Sequence, residues 1–282
     1  MKEKLLQNND MRGSKWSLLY TFSYIFSILM IVTSCAQIDF FGEHRKLSNK
    51  IDLYSDPDKG DYENQLSSLS RAYLKTTSVH EVILKYSQRR YLTKIYKKIV
   101  GNNELLLTQK WHPSFHIIKA KAPFHFSLPR GQFFFSSGLI ARYFKNEEIL
   151  ISILTYETLK SLLVIYERNL VTPLGYMTTA RMIKLTQLSL KNKMELNKWS
   201  FYAIKRAGYD AFGILNWMQL KNRNALDFHM LYGDAMLLSR EEYLFKNFIV
   251  KQGVINQDSI SFEENSSPEF YHFMNIFKKA RI

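Results

Sequence analysis

The sequence predicts an α+β protein that is mainly helical and contains one small sheet. Gly and Pro are scarce, at 11 and 6 of 282 residues, whereas 46% of the residues are hydrophobic. This balance favours helices packed around a core of useful size. Apolar residues recur at helical spacing through most of the chain. Residues 114–137 differ, since they contain short runs rich in β-branched and aromatic residues, which are typical of strands.

The N-terminal segment has the layout of a secretory signal. Four basic residues among the first 15 precede the 19 uncharged residues Trp16–Ser34, and Cys35, the only cysteine, follows. The tetrad Val32-Thr33-Ser34-Cys35 resembles a bacterial lipobox, in which the cysteine is acylated after cleavage. In that motif Leu is commoner than Val at the position of Val32, and Gly or Ala is commoner than Ser at the position of Ser34. The alternative is an uncleaved signal anchor, because 19 apolar residues are just long enough to span a bilayer.

These features predict three regions: a lipoprotein signal peptide (1–34), a tether (35–62) and a single folded domain (63–282). Residues 36–62 are polar and contain the turn signals Asp56-Pro57-Asp58 and Lys59-Gly60-Asp61. The protein is therefore expected in the extracytoplasmic bacterial cell envelope, attached to a membrane through acylated Cys35.

The folded domain is expected to begin with a helical pattern from Glu63 to Val100, which Gly101 and two asparagines stop. Three strands, further helices and a helix-ending Gly208 follow. The predicted strands are Ser114–Ala120, Phe124–Leu128 and Gln132–Ser137, and the predicted helices are Asn146–Asn169, Tyr176–Ala207, Ala211–Asn222, Asp234–Val250 and Pro268–Lys279.

The net charge of +14 raises the question of a nucleic-acid partner. The sequence contains no RNP-like, zinc-finger or clustered arginine motif. The basic residues are scattered at helical spacing, which is typical of a solvated face. No nucleic-acid partner is expected.

Three ordered blocks resemble the HtpX-like and CAAX-prenyl-protease-like zinc metallopeptidases, a gluzincin family. The first block lies in "FHFSLPRGQFFFSSGLI", the second is an acidic helix start and the third is a Gly-Tyr-Asp element. The resemblance covers residues 86–220, about half of the chain. The matching residues are Phe126, Pro129, Gly131, Gly138, Leu139, Glu147, Glu148, Gly208, Tyr209 and Asp210.

The resemblance implies a zincin-like domain in which a sheet of three to four strands lies over the active-site helix. In that family a helical H-E-x-x-H motif supplies two zinc ligands and a general base, and a glutamate from a second helix completes the site. The corresponding stretch here is Tyr156-Glu157-Thr158-Leu159-Lys160. Glu157 matches the general base and Glu195 the distal ligand, but Tyr156 and Lys160 replace both histidines. Asn197 stands where the family has Asp, and Phe124 replaces an edge-strand Asn.

The two replacements argue against a metal, so no cofactor is expected. Tyr156 and Lys160 would both have to lose protons from pKa values near ~10 before they could bind zinc. We expect the Lys160 ammonium to pair with Glu157, Glu195 or both, and the Tyr156 ring to fill the space of the metal. The alternative is that Glu157 and Lys160 form an ordinary surface pair three residues apart. His125, on the predicted edge strand, is interpreted as facing outward.

The sequence therefore predicts a catalytically inactive pseudopeptidase with a peptide-binding or scaffolding role in the cell envelope. The edge strand, with Phe124, His125 and Phe126, would border a cleft that accepts an extended polypeptide by strand addition. One alternative is an atypical active zinc-dependent endopeptidase. A second is a structural envelope lipoprotein unrelated to peptidases.

Overall fold

The computed structural model describes residues 59–109, 111–167, 176–232, 234–252 and 266–279. The predicted signal peptide, the acylation site Cys35 and the tether up to Asp58 lie outside the described residues. Residues 59–282 form one compact unit, and the described apolar core, from Tyr62 to Phe277, lies within it.

The first part of the unit is two helices separated by a short strand. Helix α1 spans Lys59–Leu74, strand β1 Glu81–Val82 and helix α2 Tyr86–Gly101. The prediction of one helical run from Glu63 to Val100 was therefore wrong. A turn closed by the Val79 amide on the Thr76 carbonyl, at 2.9 Å, interrupts it. Helix α1 also begins inside the segment expected to be tether.

Three further strands complete a four-stranded mixed sheet. They are β2 (Ser114–Ile118), β3 (His125–Leu128) and β4 (Gln132–Ser136). The order is β1-β2-β4-β3, with β2 parallel to β4 and the other two pairs antiparallel. Arg130 and Gly131, at φ 68° and 73°, form the tight β3–β4 turn. The predicted fold class, α+β and mainly helical with a small sheet, is confirmed.

Eight helices follow β4 among the described residues. Two of the eight, the helices Ser137–Tyr143 and Ala225–Tyr232, were not predicted. The predicted helix Tyr176–Ala207 is two helices, because Ser189 caps a new start by accepting a bond from the Asn192 amide at 3.4 Å. The eight are α3 (Ser137–Tyr143), α4 (Glu147–Leu162), α5 (Thr179–Thr186), α6 (Leu190–Arg206), α7 (Gly213–Arg223), α8 (Ala225–Tyr232), α9 (Ala235–Lys251) and α10 (Pro268–Lys279).

Helix α4 lies at the centre of the unit. Thirteen of its 16 residues are buried, because α2, α6, α7 and strand β3 all pack against it. Gly213 allows the close approach of α7, since a Cβ there would lie 2.8 Å from the Glu148 carbonyl oxygen. No helix in the described part of the chain is both long and apolar enough to cross a bilayer.

Candidate functional site

Strand β3 is fixed against α4 by one serine. The Ser161 hydroxyl donates to the Leu128 carbonyl at 2.6 Å and accepts from the Gly131 amide at 2.8 Å. Ser161 thus joins the last turn of α4 to the end of β3 and to the turn beyond it. This contact places His125, at the start of β3, beside Glu157, one turn earlier on α4.

Glu157 lies between a histidine and a lysine. Its Oε1 is 2.6 Å from His125 Nδ1, and its Oε2 is 3.3 Å from Lys160 Nζ. The exposed fractions of the Glu157, Lys160 and His125 residues are 1%, 4% and 6%. Lys160 Nζ also lies 5.7 Å from the centre of the Tyr166 ring. The three charged or polar groups therefore form one enclosed cluster.

The surroundings fix the charges of this cluster. Burial alone raises the pKa of Glu157, but Lys160 and the hydrogen bond from His125 outweigh it and lower that pKa to about 2. Burial lowers the pKa of His125 despite the opposing effect of Glu157. Because the ionised carboxylate only accepts, the neutral His125 donates from Nδ1, and Nε2 retains a lone pair.

A second ion-paired group continues the cluster across α6, α7 and α9. Glu241 Oε1 accepts from Asn197 Nδ2 at 2.8 Å, and its Oε2 is 3.5 Å from Lys221 Nζ. Lys193 lies one turn before Asn197 on α6 and is 7% exposed. Burial lowers the pKa of Lys193 to about 8, against the attraction of Glu241. Lys160 belongs to the first group and Lys221 to the second, and both lower the pKa of His125. The two groups therefore interact electrostatically.

A small cavity separates the two groups. Its volume is about 20 Å³, the scale of a single water molecule. His125 Nε2 and Ser152 Oγ are both buried without a hydrogen-bond partner among the described residues. The lining residues are His125, Ser152, Ile153, Tyr156, Asn197, Ser200, Ile214, Trp217, Lys221 and Glu241. This space is far smaller than a pocket that binds a peptide or metabolite.

Three of the predicted site residues on α4 lie in this region. Glu157 and Lys160 are buried partners, so the alternative of a solvent-facing surface pair was wrong. Tyr156 lines the cavity and is only partly buried.

Glu195 does not reach the cluster, and the prediction that it faces the pocket was wrong. It is on the solvent side of α6, where its Oε1 lies 2.7 Å from Lys198 Nζ. The polar residues that α6 directs towards the cluster instead are Lys193 and Asn197, which stand one turn apart on the buried face. Periodicity alone could have found this, since Met194, Asn197 and Phe201 share that face and Glu195 does not.

The edge strand also differs from the prediction. His125 was interpreted as facing outward, and Phe124 and Phe126 as bordering an open cleft. All three are buried, with exposed fractions of 6%, 1% and 1%, because α1, α4 and α5 contact β3. Tyr166 Oη donates a hydrogen bond to the Ser127 carbonyl at 3.1 Å, so this backbone carbonyl of the strand already has a partner. The side chains of β3 therefore do not border an open cleft among the described residues.

Zinc does not fit these residues. No group of three or more His, Cys, Asp and Glu side chains within the described ranges could hold a metal ion. Glu157 and Glu241 are each engaged by a lysine. The ammonium groups of Lys160, Lys193 and Lys221 outnumber the two carboxylates, so the region repels a divalent cation.

No family model matches the chain, and no curated protein matches it either. The resemblance to zinc metallopeptidases stays a prediction from the sequence. The chemistry of the buried cluster is therefore the ground for a functional proposal.

Proposed function

We propose that this protein is a membrane-anchored, extracytoplasmic lipoprotein whose folded domain is a catalytically inactive, metallopeptidase-like scaffold of the cell envelope. In this proposal a salt-bridged core replaces the metal centre of the zinc peptidases. The role is scaffolding or binding through the outer surface, since β3 is covered.

The observation that carries the proposal is the position of the Lys160 ammonium, 3.3 Å from Glu157 Oε2. A general base must have a free lone pair directed at a water or substrate proton. Here one carboxylate oxygen faces a lysine and the other accepts from His125. With a pKa of about 2, Glu157 is also too weak a base for catalysis at neutral pH. The group that the resemblance assigns to catalysis thus serves to balance charge.

One observation favours the alternative of an active zinc enzyme. Nδ1 of His125 is held by a carboxylate and Nε2 has no partner among the described residues. This is the orientation in which carboxylates hold metal-binding histidines. It supplies a single ligand, however, and two ammonium groups, those of Lys160 and Lys221, act on His125. We therefore rank this alternative second.

Zinc content and hydrolysis test the proposal. The purified full chain is expected to contain fewer than about 0.1 zinc per molecule by elemental analysis, because a functional site needs three protein ligands. Added zinc should leave its melting temperature unchanged. About one zinc per chain that is lost in His125→Ala would overturn the proposal.

Peptidase assays give a second, independent test. Wild-type protein and Glu157→Gln should show the same background cleavage of unfolded casein, and Glu195→Gln provides a matched control on the surface. Cleavage that disappears in Glu157→Gln and persists in Glu195→Gln, while circular dichroism shows both variants to be folded, would establish the enzyme instead.

A further inference from the structure

Every charged residue on the exposed face of helix α2 is basic. The helix contains five basic residues and no acidic one. All five are exposed, whereas the opposite face is buried in the core. The basic residues are Arg89, Arg90, Lys94, Lys97 and Lys98.

The geometry of the helix places three of these charges in one stripe with Tyr86. At 100° per residue, Tyr86, Arg90, Lys94 and Lys97 fall within an arc of about 80°, and 16 residues extend for about 24 Å. We call this stripe, together with Arg89 and the preceding Ile83, the α2 basic face.

The fold leaves much of this charge without compensation. Lys94 pairs with Glu269 at 3.2 Å, and Lys98 lies 3.9 Å from the centre of the Tyr209 ring. Arg89, Arg90 and Lys97 have no carboxylate partner among the described residues.

Some of these basic charges also destabilise helix α2 itself. Arg90 and Lys94 are like charges four residues apart, which repel. Arg89 and Arg90 stand near the positive end of the helix dipole, where acidic residues stabilise. An anionic partner bound outside would relieve both effects.

Two large apolar side chains are exposed at the first residue of the helix and just before it. Ile83 and Tyr86 are 84% and 80% exposed. Basic residues beside exposed apolar and aromatic residues are typical of surfaces that lie at a membrane interface. The net charge of residues 59–282 is also positive, as binding to an anionic membrane requires. Seven basic and seven acidic residues cancel in residues 1–58, so the whole net charge of +14 belongs to residues 59–282.

We propose that the α2 basic face docks on an anionic phospholipid surface. Its basic side chains contact lipid phosphates, and Ile83 and Tyr86 insert among the headgroups. The proposed anchor at Cys35 would keep this face in reach, because the 24 residues before Lys59 extend at most ~80 Å. The proposal rests on the proposed function only for that proximity, and vesicle binding by residues 59–282 tests it separately.

The experiment measures flotation of residues 59–282, with circular dichroism as the check of folding. Vesicles contain phosphatidylcholine alone or with about 30% phosphatidylglycerol. Binding is expected only to the anionic vesicles and should weaken in about 0.5 M NaCl, where charges are screened. The triple variant Arg89→Ala, Arg90→Ala, Lys97→Ala should bind about 100-fold more weakly, given the contribution of each basic residue near a membrane. Ile83→Ser with Tyr86→Ser should also bind more weakly.

A matched control removes the same charge from another surface. Lys191, Lys198 and Lys251 line a groove of about 530 Å³ between α6 and α9. Replacing these three by Ala should change binding less than about threefold, because they lie outside the α2 basic face. Equal losses in both triple variants would show that only net charge matters and would overturn the proposal. A loss confined to the groove variant would overturn it too.

A 20-base-pair DNA duplex separates lipid from nucleic acid as the partner. If the α2 triple variant weakened duplex binding while vesicle binding stayed unchanged, the lipid assignment would be wrong. None of these outcomes depends on zinc content or on Glu157, so the failure of this proposal and the failure of the proposed function are distinguishable.

Discussion

His125 Nδ1 lies 2.6 Å from Glu157 Oε1, which joins the edge strand β3 to the central helix α4 inside the core. The same carboxylate holds Lys160 through its other oxygen, at 3.3 Å. One side chain thus satisfies a histidine N–H and a buried ammonium at the same time. Removing it would leave Lys160 charged without its anion, and a buried charge of this kind is costly.

Glu157→Gln is expected to lower the free energy of unfolding by about 3–5 kcal/mol, the usual cost of breaking a buried ion pair from one side. Urea denaturation at pH 7 measures this change. Glu195→Gln is the matched control, and it should change stability by less than about 0.5 kcal/mol because Glu195 is exposed. Similar effects of the two variants would contradict the cluster as described.

Acidic pH is expected to reduce the difference in stability between wild type and Glu157→Gln. The folded pKa of Glu157 is lowered from 4.5 to about 2. The carboxylate therefore stabilises the fold above about pH 4.5, and this stabilisation is lost as the pH falls towards 2. The advantage of wild type over Glu157→Gln should shrink by about 3 kcal/mol between pH 6 and pH 2. Urea titrations at several pH values test this, and a constant difference would refute it.

Alkaline pH should favour the wild type over Lys193→Met. Burial lowers the folded pKa of Lys193 from 10.5 to about 8. Between these values the unfolded chain binds more protons than the folded one, so stability rises with pH. From pH 7 to pH 10 the unfolding free energy of wild type relative to Lys193→Met should increase by about 1–3 kcal/mol. Lys198→Met, on the exposed side of α6, should show no such trend.

Two glycines are expected to tolerate no side chain. A Cβ at Gly138 would lie 2.1 Å from the Lys121 carbonyl oxygen, and one at Gly213 would lie 2.7 Å from Ser152 Oγ. Alanine at either position should destabilise the fold by about 1–3 kcal/mol, the cost of overpacking. Gly101→Ala is the control, because a Cβ there meets nothing within 4 Å. It should be neutral or stabilise by up to about 1 kcal/mol. Thermal unfolding of the three variants measures the contrast.

Much of the fold could be predicted because its signals are local. The helix Pro268–Lys279 was predicted at its observed bounds, and the three strands of 114–137 were found because β-branched and aromatic runs alternate with turn residues. The break at Thr76–Val79 was missed, although the polar run Lys75-Thr76-Thr77-Ser78 interrupts the apolar spacing there. The short helix α8 was missed because eight residues give too few turns for a period to show.

The candidate site likewise combines features that local sequence predicts with features that only tertiary packing decides. The sequence by itself determined that Glu157 and Lys160 share α4 one turn apart, and that the segment around them is apolar enough to be buried. Only the tertiary structure decided that His125 is their partner, that Lys193 and Asn197 face inward in place of Glu195, and that Glu241 joins from α9. The reason is physical: spacing along one helix is fixed by its 3.6-residue period, whereas contacts between residues 32 or more positions apart depend on how separate elements pack.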